Sequence, residues 1–157
     1  MIAKFTDAEI ARMIAERKPL PDNYRSRVQL RDKRGHKERE LDVTQFRLIL
    51  RQSVFNEMDF SIILALNPAD SNHVFRLRRF MGKSHEHTNQ IEKDIFYDFH
   101  IHHATERYQE SGAREDAFAE PTNRYADFHE ALRCMLDDCG FDAPQDAQQS
   151  LFGKFDL

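Results

Sequence analysis

Five of the chain's eight histidines fall within 19 positions, as His85, His87, His100, His102 and His103. Four of them form two His-x-His units. On an extended chain alternate residues share a face, so each unit sets two imidazoles side by side. Imidazole titrates near neutral pH and is the commonest nitrogen ligand for zinc, copper or iron. Two chemistries follow. In the first no metal takes part. Cleavage of RNA through its 2′-hydroxyl needs a base, an acid and a cation for the phosphorane charge. His100, His102, His85, His87 and Glu106 are the candidate acid–base residues. Arg76, Arg78, Lys83, Arg47 and Arg51 are the candidate phosphate-binding residues, the arginines through bidentate contact and Lys83 as a point charge. Tyr108 is the candidate for stacking on single-stranded bases. In the second chemistry His85, His87, His100 and His102 hold zinc or another divalent transition metal, with Glu86, Asp98 or Glu106 as a carboxylate ligand. The spacing fixes no third ligand and is not the His-Glu-x-x-His of helical metalloproteases. A third reading has no chemistry at all. The histidines are then hydrogen-bonded surface groups on a charged sheet face, and the protein is a binding module or inhibitor.

Other motifs fall away. Gly82-Lys83-Ser84 resembles the end of a phosphate-binding loop, but Leu77 stands where its upstream glycine is needed. His103-Ala-Thr105 matches half of a two-histidine phosphoesterase signature, and no second His-x-Thr or His-x-Ser exists.

Charge gives a weaker hint. The formal net charge is −4, which provides no general attraction to nucleic acid. Residues 17–51 nevertheless carry eleven Lys/Arg against five acids, whereas residues 106–157 carry five against twelve. Such asymmetry suits an anionic partner for one face, or two halves that neutralise each other in the fold.

The elements that would position these residues are legible in part. Thr6-Asp-Ala-Glu9 reads as a capping box, with Ile10, Met13 and Ile14 as the apolar stripe of a helix ending near Lys18 before Pro19 and Pro21. Segments 24–31 and 37–43 flank a Gly-containing turn and read as a hairpin. Segments 46–54, 59–66, 74–80 and 95–105 read as further strands. Short polar turns between them favour antiparallel pairing. Alternation would turn Arg47, Arg51, Arg76, Arg78, Asp98, His100 and His102 away from the core, with Tyr97 inside it, provided no strand slips by one residue. A second helix, capped by Thr122 or Asn123, places Phe128, Ala131, Leu132, Met135, Leu136 and Cys139 on one face and stops at Gly140. Cys134 and Cys139 are too few for a disulfide framework and read as small buried hydrophobes.

The segment Phe75-Arg-Leu-Arg-Arg-Phe-Met-Gly-Lys-Ser-His-Glu-His-Thr-Asn89, with Phe99-His-Ile-His-His-Ala-Thr-Glu-Arg-Tyr108 and Ala119-Glu-Pro-Thr122, resembles a family of small uncharacterised prokaryotic proteins without an assigned activity. The shared pattern covers roughly residues 40–140. The resemblance implies no mechanism. Small proteins of this kind often come from toxin–antitoxin pairs, mobile elements or phage-defence loci, which is an analogy favouring a nucleic-acid or inhibitor role.

The expectation is therefore an α+β domain over residues 1–141 and a polar tail over 142–157. It has a mostly antiparallel sheet of five or six strands, with an N-terminal and a C-terminal helix on one face. No h-region or membrane-length apolar run is present, so the expected location is cytoplasmic. The leading functional expectation is a nucleic-acid-directed protein, a metal-independent ribonuclease with RNA as partner and no cofactor. The alternatives are a non-catalytic binder or inhibitor acting on a protein partner, and a histidine-based metal-dependent hydrolase. Oligomeric state is open, a homodimer included.

Overall fold

In the computed structural model the structure describes residues 4–67 and 73–142. The elements in chain order are α1 (Asp7–Ala15), β1 (Lys18–Pro19), α2 (Tyr24–Arg27), β2 (Gln29–Leu30), β3 (His36–Val43), β4 (Phe46–Ser53), β5 (Phe60–Leu66) and β6 (Phe75–Met81). They continue with β7 (His87–Thr88), β8 (Ile95–Phe96), β9 (His100–His103), α3 (Glu106–Glu110), β10 (Phe118–Pro121), α4 (Phe128–Asp138) and β11 (Phe141–Asp142). The main sheet is antiparallel, with seven strands in the order β10-β9-β6-β5-β4-β3-β2. Within this sheet, apart from the β7–β8 hairpin inserted between β6 and β9, each strand pairs with the next in sequence; outside it, β1 pairs in parallel with β11. Short polar connections dictate such a meander. The fold is α+β. β2 is what remains of the expected 24–31 strand, and the short edge strand β10 takes the sheet from six strands to seven. No helix of the described residues is long and apolar enough to cross a membrane. All but the first residue of the expected polar tail lies outside the described residues.

One face of the sheet carries the core. Leu41, Val43, Phe46, Leu48, Leu50, Phe60, Ile62, Leu64, Leu77, Phe80 and Ile101 form one buried cluster with Ile10 and Ile14 of α1 and Phe128, Ala131, Leu132, Met135 and Leu136 of α4. The Thr6–Glu9 capping box forms as the spacing requires. At the other end of α1 the Lys18 ammonium is fully buried. It donates to the carbonyls of Met13, Ile14, Glu16 and Cys139 at 2.6–2.9 Å, over the Phe46 ring. One cation thus satisfies the open carbonyls at the C-terminal ends of both α1 and α4, where helix dipoles are negative. Its burial pulls the Lys18 pKa below the usual lysine range.

Four expectations need correction. Residues 24–27 form α2 rather than strand, because Tyr24 and Val28, four apart, both face the core, which is helical spacing. The 95–105 strand is broken at Tyr97–Phe99: Ile95–Phe96 pairs with His87–Thr88, and the main sheet resumes at His100. Tyr97 is therefore exposed rather than in the core. The cap of α4 is Asp127, whose side chain accepts from Glu130 N–H, rather than Thr122 or Asn123. Residues 122–126 instead cross the sheet's end, where the buried Tyr125 hydroxyl donates to Met81 O. The αL stop at Gly140 is as the sequence suggests, and it is tight: a Cβ there would meet Glu16 O at 2.4 Å.

Candidate metal centre

The sheet face opposite the helices presents two cross-strand rows. One runs Arg51, Ser61, Met81, His100, Pro121; the next runs Ile49, Ile63, Arg79, His102, Ala119. His100 and His102 thus sit side by side on β9, near one edge. The chain leaving β6 turns at Gly82 and returns over them as β7. Gly82 is needed there, since a Cβ would lie 2.0 Å from Met58 O. Lys83 N–H then donates to Met58 O, which sets where the loop begins. His85, Glu86 and His87 follow, and the two His-x-His units meet.

His87 stacks on His100 at a ring-centroid distance of 5.4 Å and meets His102 edge-on at 4.8 Å, while His100 and His102 are 5.1 Å apart. The three rings offer ligand nitrogens within 4.8 Å of one another. Imidazoles on a tetrahedral zinc ion, with Zn–N of about 2.0–2.1 Å, have centroids about 5.2 Å apart. The triad already has that spacing.

Hydrogen bonding also fixes which nitrogen each ring presents. His100 Nδ1 lies 2.7 Å from Asp98 O, and His102 Nδ1 lies 2.7 Å from Asp116 O. A carbonyl only accepts, so both Nδ1 atoms carry the proton and both Nε2 atoms carry a lone pair. His87 Nε2 is 2.8 Å from Asn89 Oδ1. The buried Asn89 amide is oriented by β10: Ala119 N–H donates to its Oδ1, and its Nδ2 donates to Ala119 O. His87 Nε2 is thus the donor, and the neutral ring has its lone pair on Nδ1. Partners of this kind are the outer-shell groups that fix ligating histidines. His100 Nε2 itself is buried and has no hydrogen-bond partner.

Electrostatics keep two rings neutral. Burial is the main cause that pushes His100 down to about 4, with His87, His85 and Arg79 adding repulsion. Burial, then the neighbouring Arg79 charge, pushes His102 down to about 2. Arg79 is paired at 2.8 Å with Asp116, a fully buried carboxylate that also meets Arg114 at 3.2 Å. Asp116 thus orients His102 through its carbonyl and neutralises Arg79 through its side chain. Beside the triad, Phe96 packs its ring 5.4 Å from His87 and 5.7 Å from His100.

The other candidate residues are dispersed. A register shift between Leu64 and Ala65 turns Arg78 to the helix side, opposite Leu64, where it reaches Cys139 and His103. Arg79, not Arg78, shares the open face with His102. Arg76 lies over Glu115. Arg47 and Arg51 are on β4, three strands from β9, or about 14 Å. Arg47 pairs with Asp42 and lines a separate cleft of about 350 Å³ with Arg27, Gln29 and Glu40. Lys83 is exposed beside the loop. Glu106 N–H bonds Asp7, and Asp7 N–H bonds Glu106, so this carboxylate belongs to the junction of α1 and α3. Tyr108 is buried, with its hydroxyl on Glu92, and has no face for a base. His103 points to the helix side beside Phe118 and Glu120.

Sequence reasoning missed Asn89, Asp116 and Arg79. For Asn89 a signal existed, since His85-x-His87-x-Asn89 continues one alternation. Asp116 has no such signal, because it reaches the site across an irregular loop. No family model, curated protein or solved structure matches the chain.

Proposed function

We propose that this protein is a metal-dependent hydrolase whose ion, zinc in the first instance, is held by His87, His100 and His102. The observation that carries the reading is the buried, unpartnered lone pair of His100 Nε2, converging with two rings whose tautomers are also fixed. Leaving such an acceptor unsatisfied costs about 1–3 kcal/mol, which a bound cation would recover. An ion with three neutral imidazole ligands and one open position acidifies bound water and polarises ester, amide or phosphoryl oxygens. Phe96 would supply an apolar wall for the group carried by the reacting centre. The metal-independent ribonuclease reading has less support. At neutral pH His100 and His102 are uncharged and each commits its one N–H to a backbone carbonyl, so neither is an imidazolium acid, and the arginines expected to clamp phosphate lie on different faces or strands.

The test begins with composition. Protein purified without a histidine tag should carry about one equivalent of zinc or a related ion. His102→Ala should lose it while keeping a native far-UV circular dichroism spectrum. Metal-loaded and chelator-treated protein would then be compared on ester, amide and phosphodiester substrates. Failure of wild-type protein to bind zinc, cobalt(II) or nickel(II) would sink the proposal.

A further inference from the structure

We propose that His85 is the fourth ligand of this centre in its resting state, and the one that an incoming oxygen or anionic ligand displaces. The inference rests on the three-histidine reading above and adds to it what occupies the open position. His85 is two residues before His87, in the bend that leads from Gly82 into β7, and that bend brings its ring to the triad. Its ring meets His100 edge-on at a centroid distance of 5.7 Å, only slightly beyond the 5.1 and 5.4 Å that separate His100 from the other two rings. The loop leaves it little backbone range, because Gly82 and Lys83 are bonded to Phe60 and Met58 on one side and β7 begins at His87 on the other.

The four rings are held very differently. His100 and His102 are buried and donate to backbone carbonyls, and His87 is half-buried and donates to the β10-anchored Asn89. His85 is exposed, and its described polar contact is a 3.3 Å approach of Nδ1 to the Ser84 hydroxyl next to it. Its side-chain torsions can therefore turn without breaking packing. An ion held by three fixed rings and one loose ring exchanges ligands at the loose one. The resting site is closed and tetrahedral, and it opens by rotation of a single surface side chain.

Cobalt(II) reports this directly, since its visible bands depend on coordination number and donor set. The experiment compares full-length wild type, His85→Ala and His102→Ala, each loaded with cobalt(II) alone and then titrated with azide. Wild type should show intense four-coordinate bands. His85→Ala should retain one cobalt(II), bind it at least about tenfold more weakly, show altered bands, and bind azide about tenfold more tightly because no imidazole has to leave. Identical spectra and identical azide affinity in wild type and His85→Ala would overturn the fourth-ligand role while leaving the triad intact, provided His102→Ala loses the metal. If His102→Ala binds cobalt(II) as wild type does, the triad itself is wrong and this inference falls with it.

Discussion

Asn89 shows how much a single amide can fix. It replaces a missing strand partner at Ala119, and the same oxygen orients His87. Asn89→Ala removes both functions and leaves buried backbone groups unpaired. The expected outcome is a loss of about 2–4 kcal/mol in chemical denaturation and a 10- to 100-fold weaker zinc affinity. The histidines give a second prediction, for metal-free protein. His100, His102 and His103 all titrate below the ordinary 6.5 when folded, at about 4, 2 and 4. Above pH 6.5 they are neutral in both states and stability is complete. As pH falls below 6.5 the unfolded chain takes up protons that the folded chain does not. Each such histidine then removes up to about 1.4 kcal/mol per pH unit, until its folded pKa is reached. Urea denaturation from pH 7.5 to 4.5 checks this, and a flat profile would contradict the burial argument.

At the level of elements, the site depends on where β6 ends and how its loop returns. Gly82→Ala should push the 82–87 loop off Met58, because the new Cβ would overlap a backbone oxygen. The expected result is a stability loss of about 2 kcal/mol or more and weakened metal binding, although no ligand is touched. Thermal melts with and without zinc separate the two effects. The same loop marks the limit of the sequence. Alternation was enough to put His100 and His102 on one face, since β9 is regular. It could not foresee the shift at Leu64 and Ala65, because neither strand contains a glycine or proline to announce a bulge. Arg78 was therefore assigned to the wrong face, and Arg79 was overlooked. The break at Tyr97–Phe99 was equally hidden, since an aromatic-rich run reads as strand whether or not a partner strand is there.

For the whole molecule, the core and the histidine centre lie on opposite faces of one sheet. The core was readable because the α1 and α4 stripes and the strand alternation all select one apolar side. The centre was not, since it depends on which strands are neighbours and on an inserted hairpin. The charge asymmetry also resolves at this scale. Residues 17–51 form ion pairs among themselves, as in Arg31–Glu40, Lys33–Glu38, Arg39–Asp32 and Arg47–Asp42, which leave the segment's excess of cations in place, and Arg17 pairs with Asp142 of the acidic half. Separation of core and centre predicts that chelation spares the fold but loosens its insert. Hydrogen exchange should stay slow in β4–β6 after metal removal and quicken in residues 87–96. Uniform loss of protection would mean that the centre carries the stability of the whole sheet.

The four carbonyls around Lys18 have a meaning beyond helix capping. Oxygens at 2.6–2.9 Å around a compact monovalent charge are the surroundings that potassium and ammonium ions seek in selectivity filters. The lysine is in effect a captive ion on a tether, supplied by the chain so that none need be recruited from solution. Cutting the tether should turn a structural side chain into a vacancy for salt. Lys18→Ala should be destabilised in choline buffer and recover part of its melting temperature when potassium or methylammonium is added, whereas wild type should respond to neither.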